Sequence, residues 1–230
     1  YQRALEIANE IAPKGDIVAE VKRRLADVEL QRGNLELARQ HASEALKVAR
    51  HAGDVFEEAC ALRSLASVEF ELKEWERARA NFTSSIKLLE SLGEKKELGK
   101  AYFQAGRLLS KHQSSARLAM DYLKKAIPIF ENLSMTYEAS VCSLEAARIA
   151  AEFGDVDECH VWLSRTLEIL DGQVPTEIFE TMEAIRMRAD ERVAWLSVHG
   201  RNRLADLSSI VGRMVSASTC EERLTALLEI

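Results

Sequence analysis

Little in this sequence would stop a helix. Only 3 of its 230 residues are proline, and aromatic residues make up 6%. β-Branched residues are scarce too, while Ala, Leu, Glu, Arg and Lys dominate, so the material for a sheet is thin and a helical fold is favoured. No apolar run approaches the ~18 residues of a membrane span, and no signal peptide opens the chain. The four cysteines, Cys60, Cys142, Cys159 and Cys220, include no CxxC pair. They sit inside helical patterns, where Cys acts as a small apolar residue. That argues against a disulfide framework and a zinc site, and reduced thiols suit a cytoplasmic location. An excess of positive charge is also missing. The formal net charge is -6, which speaks against a nucleic-acid binder.

The motifs of common chemistries are absent as well. There is no HExxH, no Ser-His-Asp grouping and no Gly-rich phosphate loop. The histidines, His41, His51, His112, His160 and His199, are scattered. His160 follows Asp157 and Glu158, but these three positions point to different sides of a helix and do not converge on one ion. Trp75, Trp162 and Trp195 read as packing residues. No catalytic, cofactor-binding or metal-binding residue is expected, and neither is enzymatic activity.

What the sequence does contain is a rhythm. Ala38, Ala78, Ala119 and Cys159 are small residues at steps of 40, 41 and 40. Seven residues after each comes another small one, Ala45, Ser85, Ala126 and Thr166, followed directly by Leu46, Ile86, Ile127 and Leu167. One supersecondary unit is being copied, and a copied unit builds a solenoid. The best copy has apolar Ala59, Leu62, Leu65, Ala66 and Phe70 at helical spacing, a break at Glu74-Trp75, and a second helix with Ala78, Phe82, Ile86 and Leu89 on one face. Gly93 closes it as a left-handed C-cap. Helix pairs are therefore expected at about 17–31 and 35–51, 56–73 and 75–92, 97–111 and 116–132, and 137–152 and 156–170. A stray second helix precedes them over residues 1–12, ended by Pro13 and Gly15. The expected divisions are a half repeat at 1–15 and full repeats at about 16–54, 55–94, 95–134 and 135–171.

These residues resemble the tetratricopeptide repeat (TPR) in its longer form, over residues 1 to about 171. The first-helix pairs Leu25-Ala26, Leu65-Ala66, Ala105-Gly106 and Ala146-Ala147 match its large-then-small pattern. The turn strings Gly33-Asn34-Leu35-Glu36-Leu37-Ala38 and Gly154-Asp155-Val156-Asp157-Glu158-Cys159 look like the family's too. The aromatic residues usual in its first helix are mostly missing. The resemblance implies an all-α, right-handed solenoid. Ala26, Ala66, Gly106 and Ala147 would meet Ala38, Ala78, Ala119 and Cys159 where the paired helices approach. It also implies a concave groove lined by first-helix residues: Arg23 and Asp27, Arg63 and Ser67, Phe103 and Arg107, Leu144 and Arg148, with Lys100 and Lys111 on the same face. This stripe is rich in Arg and Lys and suits an acidic peptide or a carboxylate. Arg23 with Asp27, then Ser64, departs from the Lys/Asn/Arg clamp of chaperone-binding TPRs, so chaperone binding is not expected.

After Gly172 the rhythm is lost. Pro175 can start a helix, and Ile178, Met182, Ile185, Ala189, Val193 and Leu196 continue at helical spacing, as a capping helix over 172–200 would. Leu207, Ile210, Val211 and Met214, a polar break at 216–219, then Leu224, Leu227, Leu228 and Ile230 resemble the start of a GAF-type sensory domain. The other reading of 201–230 is an amphipathic helix pair that completes the solenoid or forms a homodimer. Because the chain opens on Tyr1 and stops inside a helical pattern, it is expected to be a piece of a longer polypeptide.

The functional expectation is a non-enzymatic protein-interaction scaffold that binds a protein or peptide in its groove. It would be the TPR module of a larger cytoplasmic, bacterial signalling or transcription regulator, with no cofactor and no membrane contact. Two alternatives stand beside it: a repeat domain that senses a small ligand or nucleic acid directly, and an oligomerisation module.

Overall fold

A computed structural model describes residues 16–111, 116–171 and 173–191, with isolated helical positions at Arg3, Glu6, Ile7 and Glu10. The half repeat expected over 1–15, the third turn at 112–115, the GAF-like stretch and the dimerising C-terminal helices lie outside the described residues, except for those isolated positions. Among the described residues the chain is all helical. The helices are α1 (Asp16–Gln31), α2 (Leu35–Ala52), α3 (Val55–Glu71), α4 (Trp75–Leu92), α5 (Lys95–Leu109), α6 (Ala116–Asn132), α7 (Thr136–Phe153) and α8 (Val156–Ile169), followed by α9 over 176–191. The ends of α1 to α8 fall within about two residues of the expected ones, and α9 is described as far as residue 191.

Local chemistry sets the boundaries. The side chains of Asp54 and Asp155 each accept from the backbone N–H three residues on, at Glu57 (3.0 Å) and Glu158 (2.9 Å), which satisfies donors that a helix start leaves free. Gly53, Gly93 and Gly154 close α2, α4 and α7 in the left-handed conformation. Two equivalent positions lack glycine. Lys73, 40 residues after Gly33, has φ 64°, and Ser134, 41 after Gly93, has φ 55°. The backbone repeats even where the residue suited to it does not. Pro128 lies inside α6 and removes one hydrogen bond there.

Each odd helix packs antiparallel on the next even one, and the pairs stack in chain order. Small residues make the approach. Ala26, Ala38, Ala66, Ala78, Ala119, Ala147 and Cys159 are fully buried. At Gly106 a Cβ would lie 2.7 Å from Leu123 Cγ and 3.0 Å from the Ala119 carbonyl oxygen. Ser85 and Ser143 spend their hydroxyls on carbonyls of the partner helix, Ala59 (2.7 Å) and Trp162 (2.9 Å), so these polar side chains enter the core satisfied. Phe82, Leu89, Leu123 and Phe130 fill it. The core runs on into α9 through Ile178, Met182, Ile185 and Ala189. Trp75 and Trp162 pack at its edge, the former edge-to-face on Phe70 with ring centroids 4.8 Å apart.

Among α1 to α8, the non-sequential helices that approach most are α1 with α3 and α3 with α5. These are all first helices of their pairs. Their mutual approach puts them along the inner edge of the array, with the second helices outside. No helix among the described residues is long and apolar enough to cross a membrane.

Candidate functional site: the inner face of the first helices

Most of the charge on the residues expected to line a groove is already engaged. Arg23 is 3% exposed. It donates to both carboxylate oxygens of Glu57 on the next first helix, Nε to Oε2 at 3.0 Å and Nη2 to Oε1 at 3.3 Å. Forty residues on, Arg63 is 6% exposed and donates through Nη2 to Glu97 at 2.9 Å. Lys100 Nζ reaches the same carboxylate at 2.6 Å. Asp27 accepts from Ser64 Oγ at 2.7 Å, and Ser67 Oγ turns back to the Arg63 carbonyl at 3.2 Å. Arg23 grips its carboxylate with two bonds, whereas Arg63 uses Nη2 alone and its Nε is buried without a hydrogen-bond partner among the described residues. Arg23 and Arg63 are therefore struts between repeats, and neither offers a free cation to a ligand.

One register runs through all four junctions. Arg23 and Glu57 are 34 residues apart, as are Arg63 and Glu97. Phe103 and Tyr137 hold the same two positions at the third junction, and Leu144 and Ile178 at the fourth. Along the array the inner face thus passes from ion pairs to aromatic to aliphatic side chains. Arg107 lies with its guanidinium carbon 5.6 Å from the Phe103 ring centroid, and Lys111 sits over Phe70 at 6.0 Å.

At the aliphatic end lies a recess of about 310 Å³ between α7 and α9. Its apolar walls are Val141, Leu144, Ile178 and Ile185, and Tyr137, 56% exposed, stands at its mouth. Arg148 borders it. This guanidinium meets Glu145 at 2.6 Å, Ser110 Oγ at 2.9 Å and Glu152. The bonds to Glu145 and Glu152 outweigh burial and push its pKa up. Of the expected groove residues, Leu144 and Arg148 meet at this recess, whereas Arg23, Asp27, Arg63, Ser67 and Lys100 belong to the polar network at the other end. The recess wall on α9 escaped the sequence reading because 172–200 reads as a cap. The signal was there in Ile178, which stands 34 residues after Leu144.

Other candidate chemistry is dispersed. Cys60, Cys142 and Cys159 are buried free thiols, and burial raises the pKa of each, which keeps them unreactive. His160 Nε2 lies 3.9 Å from Asp190 Oδ1. No group of three or more His, Cys, Asp or Glu side chains that could hold a metal occurs among the described residues.

Comparison with known proteins bears on this geometry. Residues 57–132 match the tetratricopeptide repeat family, a span that begins within α3 and ends with α6. No curated protein matches the chain in sequence. A similar solved structure is aspartyl phosphate phosphatase F from Bacillus subtilis, at a TM-score of 0.65 and 15% identity. The match covers 91% of this chain and 56% of that one, so the chain spans little more than half of that protein. At this identity the likeness speaks to the fold alone. Among the described residues the chain is an all-helical solenoid, and its residues 57–132 are similar to tetratricopeptide repeats.

Proposed function

We propose that the chain is the protein-binding module of a larger cytoplasmic signalling or transcription regulator. It binds a protein or peptide on its inner face and performs no catalysis. The observation that carries this reading is the recess between α7 and α9, where the inner face changes from mutually neutralised charge to open apolar surface. Tetratricopeptide repeats generally bind proteins or peptides, which supports the class of partner. The packing of α9 on the core supports a further step. A partner bound at the recess touches α9 directly, and through it the segment that follows, so binding is passed along the chain as a shift in how α9 docks.

The test is selection of binding peptides on the purified chain, followed by hydrogen exchange of α9 with and without the selected peptide. Protection of 176–191 on binding supports the reading. Binding with no change there removes the relay, and no peptide binding at all removes the proposal. The similar structure bears the name of a phosphatase for an acyl phosphate. Hydrolysis of acetyl phosphate by the purified chain would overturn the non-enzymatic part.

A further inference from the structure

The recess is flanked by two charges that the other described residues leave unpaired. Glu177 and Arg188 both border it, and neither side chain has an ion pair among the described residues. Arg23, Arg63, Lys100 and Arg148 on the same face are paired, while Arg107 has no ion pair among the described residues and lies against the Phe103 ring. Both charges lie on α9, eleven positions apart. At 1.5 Å per residue that is about 16 Å along the helix axis. Between them the apolar walls and the exposed side chains of Thr181 and Ala184 form an open trough.

A volume of about 310 Å³ is at the small end of pockets that enclose a drug-sized molecule. It suits two or three aliphatic side chains better than a whole ligand. Two opposite charges rooted about 16 Å apart on one helix suit an extended ligand better than a compact one, and that span matches about five residues of extended peptide. Resting on the peptide-binding reading above, we propose that this trough seats a short amphipathic peptide segment of defined polarity. Its apolar side chains enter between Leu144 and Ile185, an acidic residue at one end meets Arg188, and a basic residue at the other meets Glu177. The opposed charges set the direction in which the segment lies, because reversing it would place like charges together at both ends.

Random linear peptides displayed on phage and selected on the whole chain provide the probe. Affinities of the selected peptides are then measured by fluorescence anisotropy. The expected consensus has an apolar centre flanked by one acidic and one basic residue. Ala184→Arg fills the trough from an exposed position and should weaken binding at least about tenfold with unchanged thermal unfolding. Thr181→Arg is the second blocking variant. Arg188→Glu with Glu177→Lys should reverse the preferred order of charges. Peptides that bind all these variants equally but are lost on Arg107→Glu would overturn this inference while leaving a groove-binding module standing. Failure of any peptide to bind would overturn both. Displacement of an apolar dye by Ala184→Arg, with no peptide competing, would make the trough a small-ligand site and overturn the inference.

Discussion

Arg63 on α3 reaches Glu97 on α5, 34 residues along the chain and one repeat away, at 2.9 Å. Arg23 stands in the same relation to Glu57. Both pairs are buried or nearly so, with side chains 4–8% exposed at Arg23, Glu57 and Arg63 and 18% at Glu97. Such a pair contributes little net stability, yet losing one member leaves a charge without its partner.

Arg23→Ala is therefore expected to destabilise the chain by about 3 kcal/mol. Arg23→Met combined with Glu57→Met should recover most of that loss. Urea unfolding of the single and double variants measures the difference. Equal losses in the two would mean that the pair is not the source of the cost.

Glu29 and Glu69 occupy the same place in successive repeats, and their titration should differ. Glu29 accepts from Asn34 at 2.6 Å and Arg32 at 2.9 Å, and these bonds hold its carboxyl below the usual range. Burial pushes the Glu69 carboxyl up, against the single bond from Asn81 at 2.7 Å. A carboxyl raised in the folded state binds more protons there than in the unfolded state. Its contribution therefore improves as pH falls from neutral through the raised folded value towards 4.5. Glu69→Gln should stabilise the chain at neutral pH and remove this improvement, read from melting temperatures between pH 7 and pH 4.5. Glu29→Gln should lack the neutral-pH gain.

Gly106 allows α5 to touch α6. Gly106→Ala places a Cβ 2.7 Å from Leu123 and 3.0 Å from a backbone oxygen. The loss is expected at about 1–2 kcal/mol despite the better helix propensity of alanine. Ala66→Leu, at the equivalent point in the second pair, should cost about 1–3 kcal/mol. Unchanged thermal unfolding of both variants would contradict the packing register.

Lys73 and Ser134 hold left-handed backbone where other repeats have glycine. Lys73→Gly and Ser134→Gly should each raise stability by about 0.5–1 kcal/mol, because relief of the left-handed strain exceeds the entropy added to the unfolded chain. Chemical denaturation decides the sign.

The solenoid was legible in the sequence because small residues recur where backbones must touch. Ala38, Ala78, Ala119 and Cys159 can be counted without knowing any contact, and all four are fully buried. The groove was less legible. Arg23 and Arg63 look like free cations when each helix is read alone, and their partners come into view only across a separation of 34. A charge pattern within one helix says little about charge between helices, since stacking brings together residues that no local periodicity links. Ile178 hid for the same reason. It pairs with Leu144 in that inter-repeat register, while the forty-residue rhythm of small residues had already ended.

Because the junction residues change from Arg/Glu to Phe/Tyr to Leu/Ile, each repeat is keyed to its neighbour. Move the second pair of helices to the end of the array, and Arg63 would face Ile178 with no carboxylate to receive it. The repeats are alike in backbone yet not interchangeable in order. A chain assembled by copying one unit now resists further shuffling, and any engineered insertion must carry both halves of the key.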